Sequence, residues 1–204
     1  MNPQNTALVL IGFQNDYFAQ DGILKGVIEE SAIATNTVEN TVRLLENLVN
    51  TPTLLISTPI FFTENYEELV EPVGILATIK EVGAFQEGTK GSQTIEALQP
   101  FQDRILEVPG KRGLNAFVNT NLGEILQQRN ITHLVLASAV TSVCIDSTGR
   151  SAYEQGYHVS VLKDCTSART RFEQDFYFEN LFPLYAKTMT SDTLLDALGL
   201  VAVS

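Results

Sequence analysis

The cysteine at position 144 stands where an apolar strand gives way to a helix. Residues 134–137 are apolar, whereas residues 138–148 begin with small and hydroxyl side chains and continue in a helical pattern with Cys144 in its first turn. The helix dipole and the unpaired N–H groups of such a turn favour the nucleophilic thiolate and are suited to hold an oxyanion. The segment therefore indicates a cysteine nucleophile; the alternative is a small buried cysteine that packs a helix against a sheet.

Alternating strand-like and helix-like segments must position this cysteine. Near-continuous apolar runs indicate buried strands at 6–13, 53–57, 104–108, 133–139, 158–162 and 186–190. Apolar residues at helical spacing and helix-ending residues indicate helices at 31–50, 121–129, 144–155 and 192–198. Strands separated by helix-length segments predict a single α/β domain over 1–204, in which helices cover both faces of a mostly parallel six-stranded sheet.

Three of the predicted strand ends carry residues that could do chemistry. In a parallel sheet of this kind, the functional site lies beyond the carboxyl ends of the strands. The segments that follow the first, third and fourth strands are 12–16, 111–117 and 140–144. We therefore expect these three segments to meet at one edge of the sheet.

Composition limits the classes of protein and partner. The chain has 204 residues, of which 44% are hydrophobic and 18% are charged, as in a folded globular domain. Its formal net charge of −11 argues against nucleic-acid and anionic-membrane partners. No apolar run approaches the roughly 20 residues of a membrane span, and the first residues lack a signal-peptide pattern. We expect a cytoplasmic protein whose two cysteines are free thiols.

Several short segments have an order and spacing that are specific together, although none is specific alone. They are Phe13-Gln14-Asn15-Asp16-Tyr17-Phe18, Glu87-Gly88-Thr89 with Leu98 and Pro100, residues 111–117, residues 140–144 with Thr148 and Ala152, residues 156–159, and Lys163-Asp164. With these segments the chain resembles the isochorismatase-like cysteine hydrolases, a family that includes nicotinamidases and carbamoylsarcosine-type amidohydrolases. The resemblance extends over nearly the whole chain.

The resemblance implies a catalytic site of Asp, Lys and Cys. Cys144 matches the nucleophile that attacks an amide or related carbon, and Lys111 matches the lysine that supports charge. The family's oxyanion hole corresponds to the N–H groups of Val140 and Cys144, and its cis peptide bond would join Ala139 to Val140. From the residues alone, a cationic neighbour favours thiolate, although a lysine just after a Pro-Gly pair is more often solvated.

One position departs from the family pattern. The general-base aspartate of the family would stand at position 12, which is glycine in this chain. General-base assistance is typically worth about 10²–10⁴ in rate. A member without this carboxylate should be slow, use another base or have stopped catalysing. Two other groups could act as the base. One is Asp16, which is also suited to a turn or cap. The other is Lys111, if burial deprotonates it.

The remaining candidate residues are possible metal ligands and possible residues of a substrate pocket. No histidine lies between Ser57 and Glu87, where metal-binding relatives place their ligands, and His133 and His158 open strands, so we expect neither metal nor cofactor. Aromatic residues could line a substrate pocket or equally belong to the core; these are Tyr17, Phe117, Phe61 and Phe62. Cys165 is expected to be a packing residue.

These observations predict a cysteine hydrolase that cleaves a carbon–nitrogen bond of a small amide through a thioester on Cys144. Its activity could be reduced by Gly12. The alternative is a catalytically impaired family member that binds a small ligand or serves as an assembly subunit, and Gly12 is the feature that favours it. Isochorismate is a poor substrate candidate, because hydrolysis of its vinyl ether depends on the missing acid. By analogy with the family we also expect a homo-oligomer.

The missing histidines generate a testable prediction of metal independence. We expect the purified protein to contain no stoichiometric zinc, iron or manganese by elemental analysis, and its hydrolase activity to survive a chelator. Loss of activity on chelation, followed by recovery with one divalent ion, would contradict this prediction.

Overall fold

Six strands form one sheet in the computed structural model, which describes residues 1–200. The last four residues of the domain predicted over 1–204 thus lie outside the described part. The strand order is β3-β2-β1-β4-β5-β6 and every neighbouring pair is parallel, which confirms the predicted α/β sheet. The strands are β1 Thr6–Ile11, β2 Leu54–Thr58, β3 Leu106–Glu107, β4 His133–Ala139, β5 His158–Ser167 and β6 Lys187–Met189.

Helices cover both faces of this sheet. They are α1 Asn15–Phe18, α2 Lys25–Thr35, α3 Thr37–Leu48, α4 Gly74–Val82, α5 Leu122–Gln128, α6 Asp146–Glu154, α7 Arg171–Phe176 and α8 Ser191–Ala197. Leucines of α3 and α8 pack on one face of the sheet, whereas α5 and α6 pack on the other. Among residues 1–200, no helix has the length and apolar character needed to cross a membrane.

The two central strands, β1 and β4, are apolar on both faces because both faces are covered. Val9 and Leu136 point into one core cluster, whereas the adjacent Leu8 and Val135 point into the other. Successive side chains of a strand alternate between faces, so a strand buried on both sides is apolar at nearly every position. This is why the apolar runs of β1 and β4 were readable from the sequence.

Several element boundaries differ from the sequence-based expectation. The helix expected over 31–50 is two helices, because Asn36 adopts a left-handed conformation between α2 and α3, which asparagine tolerates. β5 is longer than expected, since after a bulge its residues Thr166 and Ser167 pair with the end of β4. β3 is a two-residue edge strand. Sequence patterns did not indicate α4.

The order of the strands brings the expected site segments together. β1 and β4 are neighbours, and Ile11 is paired with Ser138 at their carboxyl ends. The chain therefore leaves β1 at Gly12 next to the place where it leaves β4. Lys111 joins this edge through an isolated parallel bridge to Ile60, just beyond β2.

Candidate active site

Cys144 lies in a tight turn at the carboxyl end of β4. The peptide bond between Ala139 and Val140 is cis, at the position that the family resemblance implies. One π-helical turn, Thr141–Ile145, follows and continues directly into α6. The Val140 carbonyl accepts hydrogen bonds from the N–H groups of Val143 (3.0 Å) and Ile145 (3.2 Å). The expected position of Cys144 in the first turn of a helix is confirmed. Cys144 is 8% exposed.

A buried glutamine of α7 holds this turn in place. The Thr141 hydroxyl donates to Gln174 Oε1 at 2.6 Å. The Gln174 amide nitrogen in turn donates to the carbonyl (3.1 Å) and hydroxyl (3.0 Å) oxygens of Thr166 on β5. Buried polar groups need such partners, so this network fixes the turn relative to the sheet. Sequence reasoning missed Gln174, because no spacing or motif links it to a turn 33 residues earlier.

Lys111 is buried beside the cysteine. Only 2% of the residue is exposed, so the interpretation of a solvated loop lysine is wrong. Its Nζ donates to the Gly113 carbonyl at 2.6 Å and lies 3.5 Å from the Cys144 sulfur. The bridge to Ile60 makes this burial possible, because it draws the start of the 111–117 segment onto the edge of the sheet.

A glutamine at the carboxyl end of β1 anchors the loop that carries Ile60. Gln14 exchanges hydrogen bonds with the backbone of Ile60, donating to its carbonyl (2.8 Å) and accepting from its N–H (2.9 Å). The same amide nitrogen donates to the Ser92 carbonyl at 2.7 Å. Gln14 therefore connects β1 to the loop that pairs with Lys111.

The electrostatics of the site follow from the absence of a carboxylate beside Lys111. Within residues 1–200, the only hydrogen-bond partners of its Nζ are the Gly113 carbonyl and the Cys144 sulfur, and no ion pair includes it. A buried ammonium without a counter-charge is costly. A thiolate at Cys144, 3.5 Å away, would supply that counter-charge and leave the two side chains with zero net charge.

Gly12 lines the same cleft as Lys111 and Cys144. Its φ of +74° is a conformation that glycine adopts freely and other residues rarely adopt. A Cβ atom there would lie 3.4 Å from the Ala139 carbonyl oxygen and 3.8 Å from the ring of Tyr17. Position 12 therefore contributes only backbone to the cleft.

Asp16 serves the loop structure and is not among the residues that line this cleft. Its Oδ2 accepts a hydrogen bond from the Phe85 N–H at 2.6 Å, and its carboxylate packs directly against Gly91. Its own backbone bonds to Gly91 and Leu24. This arrangement matches the turn-residue interpretation of Asp16, and it ties three loops together next to the site.

Apolar side chains form most of the cleft wall. The cleft holds about 10 Å³, which is room for roughly one water molecule. Sequence reasoning missed the contribution of α4, although the i, i+1, i+4 spacing of its apolar residues is typical of a buried helix face. The apolar lining residues are Ile11, Tyr17, Ile60, Ile75, Leu76, Ile79, Leu114 and Ala139.

Of the aromatic candidates, Tyr17 lines the cleft and Phe117 does not. Phe117 stacks on Tyr157, with ring centroids 6.2 Å apart, and packs against the core cluster under α5 and α6. Phe62 is fully buried against Tyr66, and Phe61 is also outside the cleft lining. Phe117 therefore fits the core alternative, because its partly buried ring packs against this cluster and does not line the cleft.

The other cysteine and the two histidines lie away from this cleft. Burial, and secondarily the charge of Asp164, raises the pKa of the Cys165 thiol far above its ordinary value, consistent with a packing role. His133 and His158 stack at the amino ends of β4 and β5, the edge opposite the site. Among residues 1–200, no three His, Cys, Asp or Glu side chains are grouped to hold a metal ion.

The fold and this cleft define the chain as a parallel α/β protein with a Lys–Cys site at the carboxyl edge of its sheet. The family model for the isochorismatase domain matches residues 6–193. YddQ, an isochorismatase family protein of Bacillus subtilis (strain 168), is 30% identical over 165 residues, which are 81% of this chain and 79% of that protein. The chain belongs to the isochorismatase family of hydrolases.

Solved structures share the same architecture. A cysteine hydrolase from Pseudomonas syringae pv. phaseolicola 1448A has a TM-score of 0.84 at 19% identity, with 98% of this chain and 94% of that chain covered. N-carbamoylsarcosine amidase from Thermoplasma acidophilum has a TM-score of 0.72 at 20% identity, with 94% and 98% covered. At these identities the likeness establishes a common fold.

The contrast between the two cysteines yields a prediction about thiol reactivity. Because Cys144 contacts Lys111 and Cys165 is sealed in the core, iodoacetamide near neutral pH should modify Cys144 at least about tenfold faster, read by peptide mass. Lys111→Met should slow the labelling of Cys144, since the cation beside the sulfur is lost. Lys163→Met, which removes a half-exposed surface lysine, is the matched control and should leave the rate unchanged. Equal labelling of both cysteines would contradict the nucleophile assignment.

Proposed function

We propose that this chain is a cofactor-free cysteine hydrolase that cleaves the carbon–nitrogen bond of a small, neutral amide through a thioester on Cys144. The observation that carries the proposal is the 3.5 Å contact between Lys111 Nζ and the Cys144 sulfur inside a cleft at the carboxyl edge of the sheet. Such a cleft is the usual location of a site in a parallel α/β fold. The family relationship supports hydrolysis as the type of reaction.

In the proposed acylation step, the thiol proton of Cys144 has passed to Lys111, and the Cys144 sulfur attacks the amide carbon as a thiolate. The S–C bond forms and the carbonyl oxygen becomes an oxyanion, which the N–H groups of Val140 and Cys144 stabilise. Lys111 then gives this proton to the leaving nitrogen, the C–N bond breaks and the amine departs. Lys111 is assigned this role because Asp16 is engaged with the Phe85 N–H and Gly12 has no side chain.

In the proposed deacylation step, water attacks the thioester. Lys111 accepts a proton from the water molecule while the water oxygen bonds to the acyl carbon. The N–H groups of Val140 and Cys144 again stabilise the tetrahedral intermediate. The C–S bond breaks, the acid is released, and the thiolate is left beside the protonated Lys111, as before acylation. Lys111 thus gives one proton to the leaving nitrogen and takes one from water, so the site needs no other ionisable group.

The lining of the cleft supports an uncharged, apolar acyl group. Ile75, Leu76 and Ile79 of α4 line the cleft together with Leu114, and Lys111 is the one charged residue in the lining. Since the cleft has room for about one water, the substrate must be small and α4 or the segment around Leu114 must move when it binds. Each CH₂ buried against these side chains should contribute about 0.8 kcal/mol, or about fourfold in kcat/KM.

A second candidate function is that of a catalytically impaired relative that binds a small ligand or acts as an assembly subunit. Gly12 supports this candidate, because it removes the group that acts as general base in the family pattern. The buried Lys111–Cys144 contact favours the enzyme, since a silent binding protein has no need to keep a costly cation beside a thiol. Homo-oligomerisation and a cytoplasmic location remain predictions.

The proposed thioester can be trapped directly. With a panel of short aliphatic amides, we expect turnover to increase with chain length until the cleft is filled, and charged amides to react at least about tenfold more slowly. Hydroxylamine should divert the acyl group to a hydroxamate detectable by mass spectrometry. Cys144→Ala should abolish both products, whereas Cys165→Ala, the matched control, should retain them. Binding of amides without turnover or hydroxamate would support the impaired relative instead.

Restoring a carboxylate at position 12 tests what the site lacks. Gly12→Asp should raise turnover by about 10²-fold, because it returns a base to the cleft. It should also lower the melting temperature, since φ is +74° and the Ala139 carbonyl lies 3.4 Å from the new Cβ. Gly12→Asn carries the same strain without a base, so it should lose stability and gain no activity.

The outcome of these variants also separates the two alternative bases. Equal turnover of Gly12→Asp and Gly12→Asn would show that the lack of a carboxylate at position 12 does not limit the turnover of the unsubstituted protein (the parent). If Asp16→Asn abolished the parent's activity while its melting temperature stayed unchanged, Asp16 would be the base and the assignment to Lys111 would be wrong.

A further inference from the structure

Tyr17 occupies the part of the cleft that Gly12 leaves open. Its residue is only 4% exposed and it lines the cleft together with Cys144 and Lys111. The two ring atoms closest to Gly12 lie 3.8 Å from the position of a Cβ there, so the ring borders the volume that a longer side chain at position 12 would enter. The short helix α1 holds Tyr17 in this place, and its ring packs on Phe85 with centroids 5.0 Å apart.

The hydroxyl of Tyr17 has no hydrogen-bond partner among residues 1–200, and it is not one of the fully buried unpartnered oxygens of this part of the chain, so it keeps some contact with solvent. A tyrosine with a buried ring ordinarily places its hydroxyl on a polar partner or on water. Tyr66 shows the ordinary case in the same core cluster, since its hydroxyl donates to the Ala84 carbonyl at 2.8 Å. An unpaired donor inside a reactive cleft is therefore available to a bound molecule.

The environment keeps this hydroxyl protonated. Burial raises the pKa of Tyr17 well above its ordinary value, and negative charge on Cys144 and Asp16 raises it further. At neutral pH the phenol is thus a hydrogen-bond donor and has no capacity to act as a base. Tyr17 and Cys144 also line the same cleft of about 10 Å³, so the tyrosine side chain lies close to any carbon that the sulfur attacks.

We propose that Tyr17 is a further catalytic residue, whose hydroxyl donates a hydrogen bond to the leaving nitrogen of the amide. This inference rests on the proposed function. In a planar amide the nitrogen lone pair is delocalised and accepts hydrogen bonds poorly, whereas in the tetrahedral intermediate it becomes a good acceptor. The bond therefore strengthens on the way to the transition state. Tyr17 keeps its own proton throughout, and Lys111 supplies the proton that leaves with the amine.

Such a bond has a specific kinetic signature. An interaction made only in the transition state lowers kcat when it is removed and leaves KM nearly unchanged. Deacylation expels sulfur and involves no leaving nitrogen, so the loss should be confined to acylation. A tyrosine that only walled the pocket would affect KM, or both steps alike.

Tyr17→Phe removes only the hydroxyl and tests the inference. We expect kcat for amides to fall by roughly 10–100-fold with KM changed less than about twofold, and the deacylation rate of a preformed acyl-enzyme to stay unchanged. Its melting temperature should be equal to or higher than that of the parent, because no partner loses a bond. Tyr66→Phe is the matched control and should lower the melting temperature through loss of its bond to Ala84.

The possible failures are distinguishable. If the parent hydrolyses amides and Tyr17→Phe has an unchanged kcat, the role of Tyr17 is wrong and the proposed function stands. A fall in melting temperature for Tyr17→Phe, equal to that of Tyr66→Phe, would show a structural bond and overturn the inference as well. If the parent is inert, or Cys144→Ala is as active as the parent, the proposed function fails and this inference fails with it.

Discussion

The burial of Lys111 against Cys144 is the contact on which the rest of the site depends. A cation that is 2% exposed needs a counter-charge, and the sulfur 3.5 Å away is the partner that the described part of the chain offers. The two side chains therefore constrain each other electrostatically. The bridge between Lys111 and Ile60 and the turn after Val140 hold the two in register.

The surrounding loops are held by buried polar side chains, each of which pairs with backbone from distant parts of the chain. Gln14 bonds to Ile60 and Ser92, Asp16 bonds to the Phe85 N–H, and Gln174 connects the nucleophile turn to β5. These buried hydrogen bonds favour one arrangement of the loops, because a shift would leave their donors and acceptors unpaired. These side chains fix the positions of loops that have little regular structure of their own.

In an all-parallel sheet the strands end at the same edge, so a few residues from separate segments can form one cleft. Its two central strands, β1 and β4, end side by side, so Gly12 and the turn after Ala139 share one cleft. Position 12 contributes no side chain, so the surrounding residues set the volume and the charge of the cleft. Tyr17 and the apolar face of α4 form much of its wall.

The sequence by itself determined the parallel sheet, its central strands and the meeting of the segments that carry Lys111 and Cys144, because strand periodicity and the position of strand ends are local properties. The break at Asn36, the partners of Asp16 and Gln174 and the packing of Phe117 on Tyr157 were decided only by tertiary structure. Each depends on which distant residue comes within contact range. Hydrogen-bond partners and pocket walls are properties of the packed chain, and no spacing along the sequence encodes them.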